Sequence, residues 1–290
     1  FGAMFGDVGQ GLILFLGGLF LYKTKHMDLA GIISCAGVFS VFFGFMYGSF
    51  FGFEDVLKAI WLKPMNQMMD VPLVGRLNAV FVIAIGFGMF IILICMIFNI
   101  INSLRNKDTE KAWFDSNAVA GLVFYGSIVL TVGLFISGKK LPATAVLVVM
   151  FGVPLLLMFL KEPLTNLVEK KSEIFPEQKG MFFVQSFFEL FEVLLSYLSN
   201  TLSFLRIGAF AVSHAAMMEV VLMLAGATNG GSPNWIVVVL GNIFVCAMEG
   251  LIVGIQVLRL EYYEIFSRFY AGNGREFQPF MKTLRKSVQK

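Results

Sequence analysis

The sequence predicts an all-α integral membrane fold: an eight-helix polytopic domain, its first helix truncated, that ends in two long, strongly tilted helices. Three observations predict it. The 290 residues are 58% hydrophobic and only 14% charged, with a mean hydropathy of +0.81, values outside those of ordinary soluble domains. The apolar residues gather into seven runs, at 8–22, 31–53, 77–101, 117–137, 142–160, 181–226 and 234–270. The sixth is too long for an upright span. From Gly180 to Gly226 there is no proline, and as a helix this stretch would measure about 70 Å against a hydrocarbon core of about 30 Å. It must tilt, bend or run beyond the bilayer.

Taken in order, Phe1 to Phe5 read as the end of one further span. No initiator Met, charged leader or cleavage site accompanies them, so the expectation is a fragment whose upstream part is missing. Gly6-Asp7-Val8-Gly9 suits a tight turn between two spans. Loop 54–76 carries Glu54, Asp55, Trp61, Pro64 and Pro72, and its Trp61, Met65, Met68 and Met69 suggest a short interfacial helix. Loop 161–180, with Lys161, Glu162, Pro163, Lys170, Lys171 and Pro176, reads as a solvated connector. Residues 1–180 are thus peripheral helices and loops, 181–270 the two long helices, and 271–290 a polar tail.

Basic residues orient the chain. Loops 23–30, 102–116, 161–180 and the segment 268–290 hold fifteen Lys and Arg, whereas the opposite loops hold five. By the positive-inside rule the carboxyl terminus of this multi-pass protein is cytoplasmic. The two remaining basic residues, Arg206 and Arg259, are intramembrane. A net charge of +3 gives no support to a nucleic-acid partner, and membrane lipid is the partner that the composition implies. Phosphate loops, nucleophile elbows and paired-histidine metal motifs are absent from the sequence, so no catalytic or metal site is expected. Cys35, Cys95 and Cys246 sit in apolar runs as small hydrophobes.

The polar residues inside the two long runs are the informative ones. Glu192, Ser199, Arg206 and Ser213 are seven apart, a spacing that drifts only about 20° per step around a helix. Ser203 lies one turn before the arginine and His214 beside Ser213. The last run repeats the device with Asn242, Glu249 and Gln256, and Arg259 follows Gln256 by one turn. A charge at the centre of a membrane helix costs roughly 2.5–3.5 kcal/mol on insertion scales. Two structural ion pairs, Arg206 with Glu249 and Arg259 with Glu192, would account for the charges as bundle cement. Acceptors strung over many turns fit an aqueous path better, since each step needs a proton or water partner. The stripe then reads as two half-paths, Glu192 and Arg259 on the cytoplasmic side, His214, Asn242 and Glu249 on the outer side, with Arg206 between.

These residues carry a likeness. Ser199 to Ala215 (SNTLSFLRIGAFAVSHA) resembles the arginine-bearing helix of subunit a, called subunit I in prokaryotes, of V-type and A-type rotary ATPases. Met248-Glu249-Gly250, Leu258-Arg259-Leu260 and Phe269 to Phe280 (FYAGNGREFQPF) resemble that family's closing helix and tail. Met4 to Gly9 with Gly11 resembles its first hairpin, and Gly44 to Gly48 its third span. The resemblance implies a stator membrane subunit with two offset half-channels beside a rotating proteolipid c or K ring. It implies no catalysis by this chain alone and no bound cofactor, with H⁺ or Na⁺ as the transported ion. The peripheral stalk and the cytoplasmic ATPase subunits would be reached through an amino-terminal arm. By position, Arg206 is implied to face the ring carboxylate and Glu192 to lie in the cytoplasmic half-channel. His214, Glu249 and Arg259 match polar residues of the outer half-channel and of the space between the helices. Gln10 and Gln256 stand where members of the family often have histidine, which leaves fewer titrating groups here. A stand-alone ion-coupled secondary transporter is the alternative, although such folds usually show internal repeats and broken midplane helices.

Overall fold

A computed structural model describes residues 1–53, 56–65, 68–71, 75–106, 110–140, 142–168, 179–227, 233–270 and 272. The expected polar tail and the motif after Tyr270 therefore lie outside the described residues, Gly272 apart, as do Lys170, Lys171 and Pro176. The helices are α1 (Val8–Lys25), α2 (Asp28–Tyr47), α3 (Ala79–Asn106), α4 (Val119–Ile136), α5 (Thr144–Phe159), α6 (Lys161–Val168), α7 (Lys179–Ser203), α8 (Leu205–Leu224), α9 (Trp235–Arg259) and α10 (Ser267–Phe269). Five helical stretches are long and apolar enough to cross a membrane, or six if the bent pair α5–α6 is one span. They make this an all-α membrane architecture. Helix α1 is not among them, because Gln10, Lys23 and Lys25 dilute its 18 residues. Phe1 to Phe5 form a single turn closed by a bond from the Phe5 N–H to the Phe1 carbonyl.

Helices α1 and α2 pack as a hairpin with glycines at the seam. A Cβ on Gly37 would lie 2.4 Å from the Phe15 nitrogen and one on Gly44 2.4 Å from the Val8 nitrogen; Gly11 and Gly18 meet α2 at 2.7 Å in the same way. Each pair is spaced by seven, so both helices keep one bare face toward the other, as membrane helices do where backbones touch. The Ser34 hydroxyl donates to the Phe15 carbonyl across this seam.

Asp7 ties off the hairpin. It is the N-cap of α1, fully buried, and its carboxylate accepts from the Gln10 and Phe51 N–H groups, the Ser49 hydroxyl and the Gly52 N–H at 2.7–3.1 Å. Two of these donors flank a strained backbone: Phe51 has φ +50° and Gly52 φ +81°, and for phenylalanine the left-handed region costs roughly 1–2 kcal/mol. The expected turn at Gly6–Gly9 is therefore half of a two-sided clasp.

Two expectations are corrected. No interfacial helix forms among the described residues of 54–76. Met68–Val71 instead pairs antiparallel with Gly75–Asn78 as strands β1 and β2, while Pro64 is buried in a turn and the Trp61 N–H bonds to the Met46 carbonyl. With prolines at 64 and 72, no helix of useful length can be built across this loop. Nor is 161–180 wholly a solvated connector. Lys161–Val168 is helix α6, bent 73° from α5, with Pro163 and Thr165 buried and Lys161 paired with Glu189 of α7.

The two long runs are helical but not uniform. Helices α7 and α8 meet at Phe204, where the Phe204 and Ile207 N–H groups bond three residues back, to Thr201 and Phe204, instead of four. The Phe204 ring is 1% exposed and lies over Gly88 of α3, where a Cβ would come within 2.2 Å of it. Helix α9 continues into a π-helical stretch, Leu260–Phe266, before α10. The main core joins α3, α4, α7 and α9 through Ile92, Met96, Phe124, Tyr197, Phe204 and Val253, with Met4 and Phe5 plugged into it. By contrast α7 leaves Phe187, Phe188, Phe191, Leu195 and Leu198 exposed, a face suited to lipid or to another apolar subunit.

Candidate functional site

Helices α8 and α9 lie antiparallel, with Gly241 against Val221, Glu249 against His214 and Gln256 against Arg206. The heptad spacing predicted from the sequence thus brings Arg206 and His214 of the first polar stripe against Gln256 and Glu249 of the second in one seam. It contains two clusters with different chemistry.

Toward the α8 carboxyl end, His214 Nδ1 and Glu249 Oε2 are 2.6 Å apart, with both side chains buried. Gln10 of α1 donates through Nε2 to Asn242 Oδ1 at 2.8 Å and touches the Met218 sulfur at 3.3 Å. Asn242 in turn donates to the Val238 carbonyl, and the Phe5 ring covers the imidazole with centroids 4.7 Å apart. Gln10 Oε1, His214 Nε2 and Glu249 Oε1 are buried without a protein partner. Buried polar atoms are ordinarily satisfied by protein or water. His214 also lines a cavity of about 20 Å³ with Tyr47, Ser49 and Met218, roughly the space one water needs. An imidazole with one nitrogen held by a carboxylate and the other free can accept and pass on a proton.

The second cluster surrounds Arg206. The Phe204 irregularity sends the Ile207 N–H to the Phe204 carbonyl, which releases the Ser203 carbonyl, and Arg206 Nε donates to it at 2.9 Å. The two terminal nitrogens donate to Gln256 Oε1 at 3.1 Å and to Ser203 Oγ at 2.7 Å. Glu264 Oε1 is the closest carboxylate oxygen, 3.8 Å away. Arg206, Arg259, Ser199, Asn200, Ser203, Tyr263 and Glu264 line an open groove of about 630 Å³.

Of the residues predicted to form the site, Arg206, Ser203 and Gln256 meet in one cluster, and His214, Glu249 and Asn242 in the other. Ser199 and Arg259 are exposed at the groove, so Arg259 is not a buried charge. Ser213 is half-buried beside His214. Glu192 is exposed on α7, about 20 Å along the helix axis from Arg206. The bundle-cement pairing of Arg206 with Glu249 does not occur, since Glu249 holds His214 instead.

The heptad spacing misses two buried charged residues beyond Gln256. Glu264, 5% exposed, accepts from the Ser203 hydroxyl. Arg268, 6% exposed, donates to Asn117 Oδ1 at 2.9 Å and lies over the Tyr197 ring. Counting Arg268 among the basic residues of the tail is therefore corrected: it is inside the bundle.

Comparisons with known proteins bear on the same residues. Residues 167–282, which include both clusters apart from Gln10 and Phe5, match the model of the V-type ATPase 116kDa subunit family. Over 96% of its length the chain is 28% identical to A-type ATP synthase subunit I of Aeropyrum pernix, covering 45% of that protein. It is 26% identical to A-type ATP synthase subunit I of Pyrococcus horikoshii over 97% of its length, covering 41% of that protein. With V-type proton ATPase 116 kDa subunit a 3 of Homo sapiens it shares 31% identity over 39% of its length, 15% of the human chain. The chain spans less than half the length of these relatives.

Proposed function

Because the chain belongs to the subunit a and subunit I family of V-type and A-type ATPases, we propose that it is the membrane stator beside a rotating proteolipid ring. In this reading it hydrolyses nothing itself and binds no cofactor. It passes H⁺ or Na⁺ to and from ring carboxylates through two offset half-channels that Arg206 keeps apart. Its further partners are the peripheral stalk and the cytoplasmic ATPase subunits. The setting is a prokaryotic plasma membrane, and the carboxyl terminus is in the cytoplasm, as the charge bias suggests, fourteen to five once Arg268 is left out.

The observation that carries this reading is the state of the Arg206 guanidinium. All its hydrogen bonds go to uncharged oxygens, and it borders an open groove. A cation so placed attracts a carboxylate arriving from lipid with about 4 kcal/mol at 4 Å and an effective dielectric near 20. The ring acid is neutral in lipid, where charge is expensive, and ionises beside the arginine. Its ion leaves into one half-channel, and another is taken up from the other half-channel after passage. The fixed positive charge also bars a direct leak of cations between the two. His214, Glu249 and Asn242 serve the outer path; Glu192, Ser199 and Arg259 serve the cytoplasmic one; Ser213 lines the seam between.

Reconstitution tests this reading. The purified chain in vesicles is expected to move no ion alone, and ion flux is expected only with the ring. Solute transport by the chain alone would replace the stator with a secondary transporter. Within the complex, Glu249→Gln is expected to slow ATP-driven ion uptake by roughly tenfold, the scale of one positioned proton-transfer group being 10²–10⁴ at most. Uptake at the wild-type rate would make Glu249 a packing residue and move the outer path elsewhere.

A further inference from the structure

Glu264 has no part in the ion path proposed above, yet it is the buried carboxylate nearest to Arg206. The π-helical stretch Leu260–Phe266 puts it there. A continuous α-helix would bring Tyr263, seven residues past Gln256, to this face; the extra residue of the π-turn brings Glu264 instead.

Between the two charges stands one hydroxyl. Ser203 Oγ accepts from the Arg206 terminal nitrogen at 2.7 Å, and the Ser203 proton goes to Glu264 Oε1. The charges themselves are 3.8 Å apart, beyond hydrogen-bonding distance. Glu264 Oε2 is buried with no protein partner. A carboxylate buried this deeply is costly unless paired, and a leucine would pack as well. A closer pair with a direct hydrogen bond would satisfy both groups and would also occupy the arginine. The hydroxyl spacer gives partial compensation and leaves the guanidinium available.

We infer that Glu264 is a positioning residue, an internal counter-charge held one hydroxyl away from Arg206 by Ser203. It steadies the guanidinium when no ring carboxylate faces it and gives way when one does. This rests on the ring-facing role of Arg206 proposed above.

The test uses the whole complex in vesicles, with ATP-driven ion uptake as readout and co-purification of the ring as the measure of assembly. Glu264→Gln keeps the shape and the Ser203 acceptor but removes the charge. The uncompensated guanidinium then holds each ring acid longer, and uptake falls roughly threefold. Ser203→Ala removes the spacer, the two charges close on each other, and uptake falls roughly tenfold. In the double variant the arginine has no carboxylate to close on, so uptake stays at the Glu264→Gln level. Wild-type uptake by Glu264→Gln overturns the inference, as does a Ser203→Ala effect of equal factor with and without the carboxylate. If any of these variants fails to assemble, Ser203→Thr and Ser203→Val, alike in size and different only in the hydroxyl, carry the comparison. Faster uptake by the threonine variant supports the inference and equal uptake overturns it. Pumping by Arg206→Ala would overturn the stator reading itself, whereas its loss together with wild-type Glu264→Gln uptake overturns the counter-charge alone.

Discussion

Arg206→Ala is expected to abolish ATP-driven ion uptake by the complex while the complex still assembles. The loss is large because the guanidinium acts on the ring acid through charge. An attraction of about 4 kcal/mol corresponds to roughly a thousandfold in rate at 1.36 kcal/mol per decade. Assembly survives because the side chain hydrogen-bonds Ser203 and Gln256 and faces Glu264, and none of the three anchors the core centred on Ile92, Met96 and Val253. Arg206→Lys is expected to lose most of the uptake too. A lysine cannot hold the Ser203 carbonyl, the Ser203 hydroxyl and Gln256 in one planar fork, and it is more strongly hydrated. Ion uptake measured beside ATP hydrolysis separates the two functions. Coupled uptake by the alanine variant would end the proposed role of Arg206.

The second large effect is on stability. Asp7→Ala is expected to destabilise the chain by about 3–5 kcal/mol, the scale for leaving partners of a buried charged group unsatisfied. The substitution orphans four donors at once and releases the backbone at Phe51, which no longer has a reason to hold φ +50°. Asp7→Asn, which keeps acceptors on one oxygen, is expected to cost about half as much. Thermal unfolding of the detergent-solubilised chain measures both. An unchanged midpoint for the alanine variant would mean that the 48–53 turn is held by something other than this carboxylate. Functional damage should follow, since Gln10 begins at the same cap and reaches Asn242.

The helices were legible because lipid imposes a simple rule on sequence: long apolar runs with every backbone group bonded internally. Pairing across the long helices was legible for a similar reason, as the heptad spacing of Glu249 and Gln256 keeps one face and His214 and Arg206 meet it. Where the winding changes, that legibility stops. Nothing in LEYYEIF announces a π-turn, so the stripe could be followed to Gln256 and not to Glu264. Arg268 was hidden differently: it sits next to a basic tail in sequence, and only the fold turns it inward toward Asn117 and Tyr197. The strands at Met68–Val71 and Gly75–Asn78 were missed because methionines near a tryptophan favour a helix or an interface equally, and the prolines at 64 and 72 decide against the helix.

The winding of residues 260–266 has a consequence for how the chain could have arisen. One residue fewer there would let α9 run on as an ordinary helix with the later residues on their present faces, because the wide turn takes up the extra residue locally. The unchanged sequence wound as a plain α-helix would instead turn Glu264 away from Ser203 and Arg268 away from Asn117 and Tyr197. A single-codon insertion is therefore a sufficient origin of the wide turn, and a single-codon deletion within it would straighten the helix while keeping both placements.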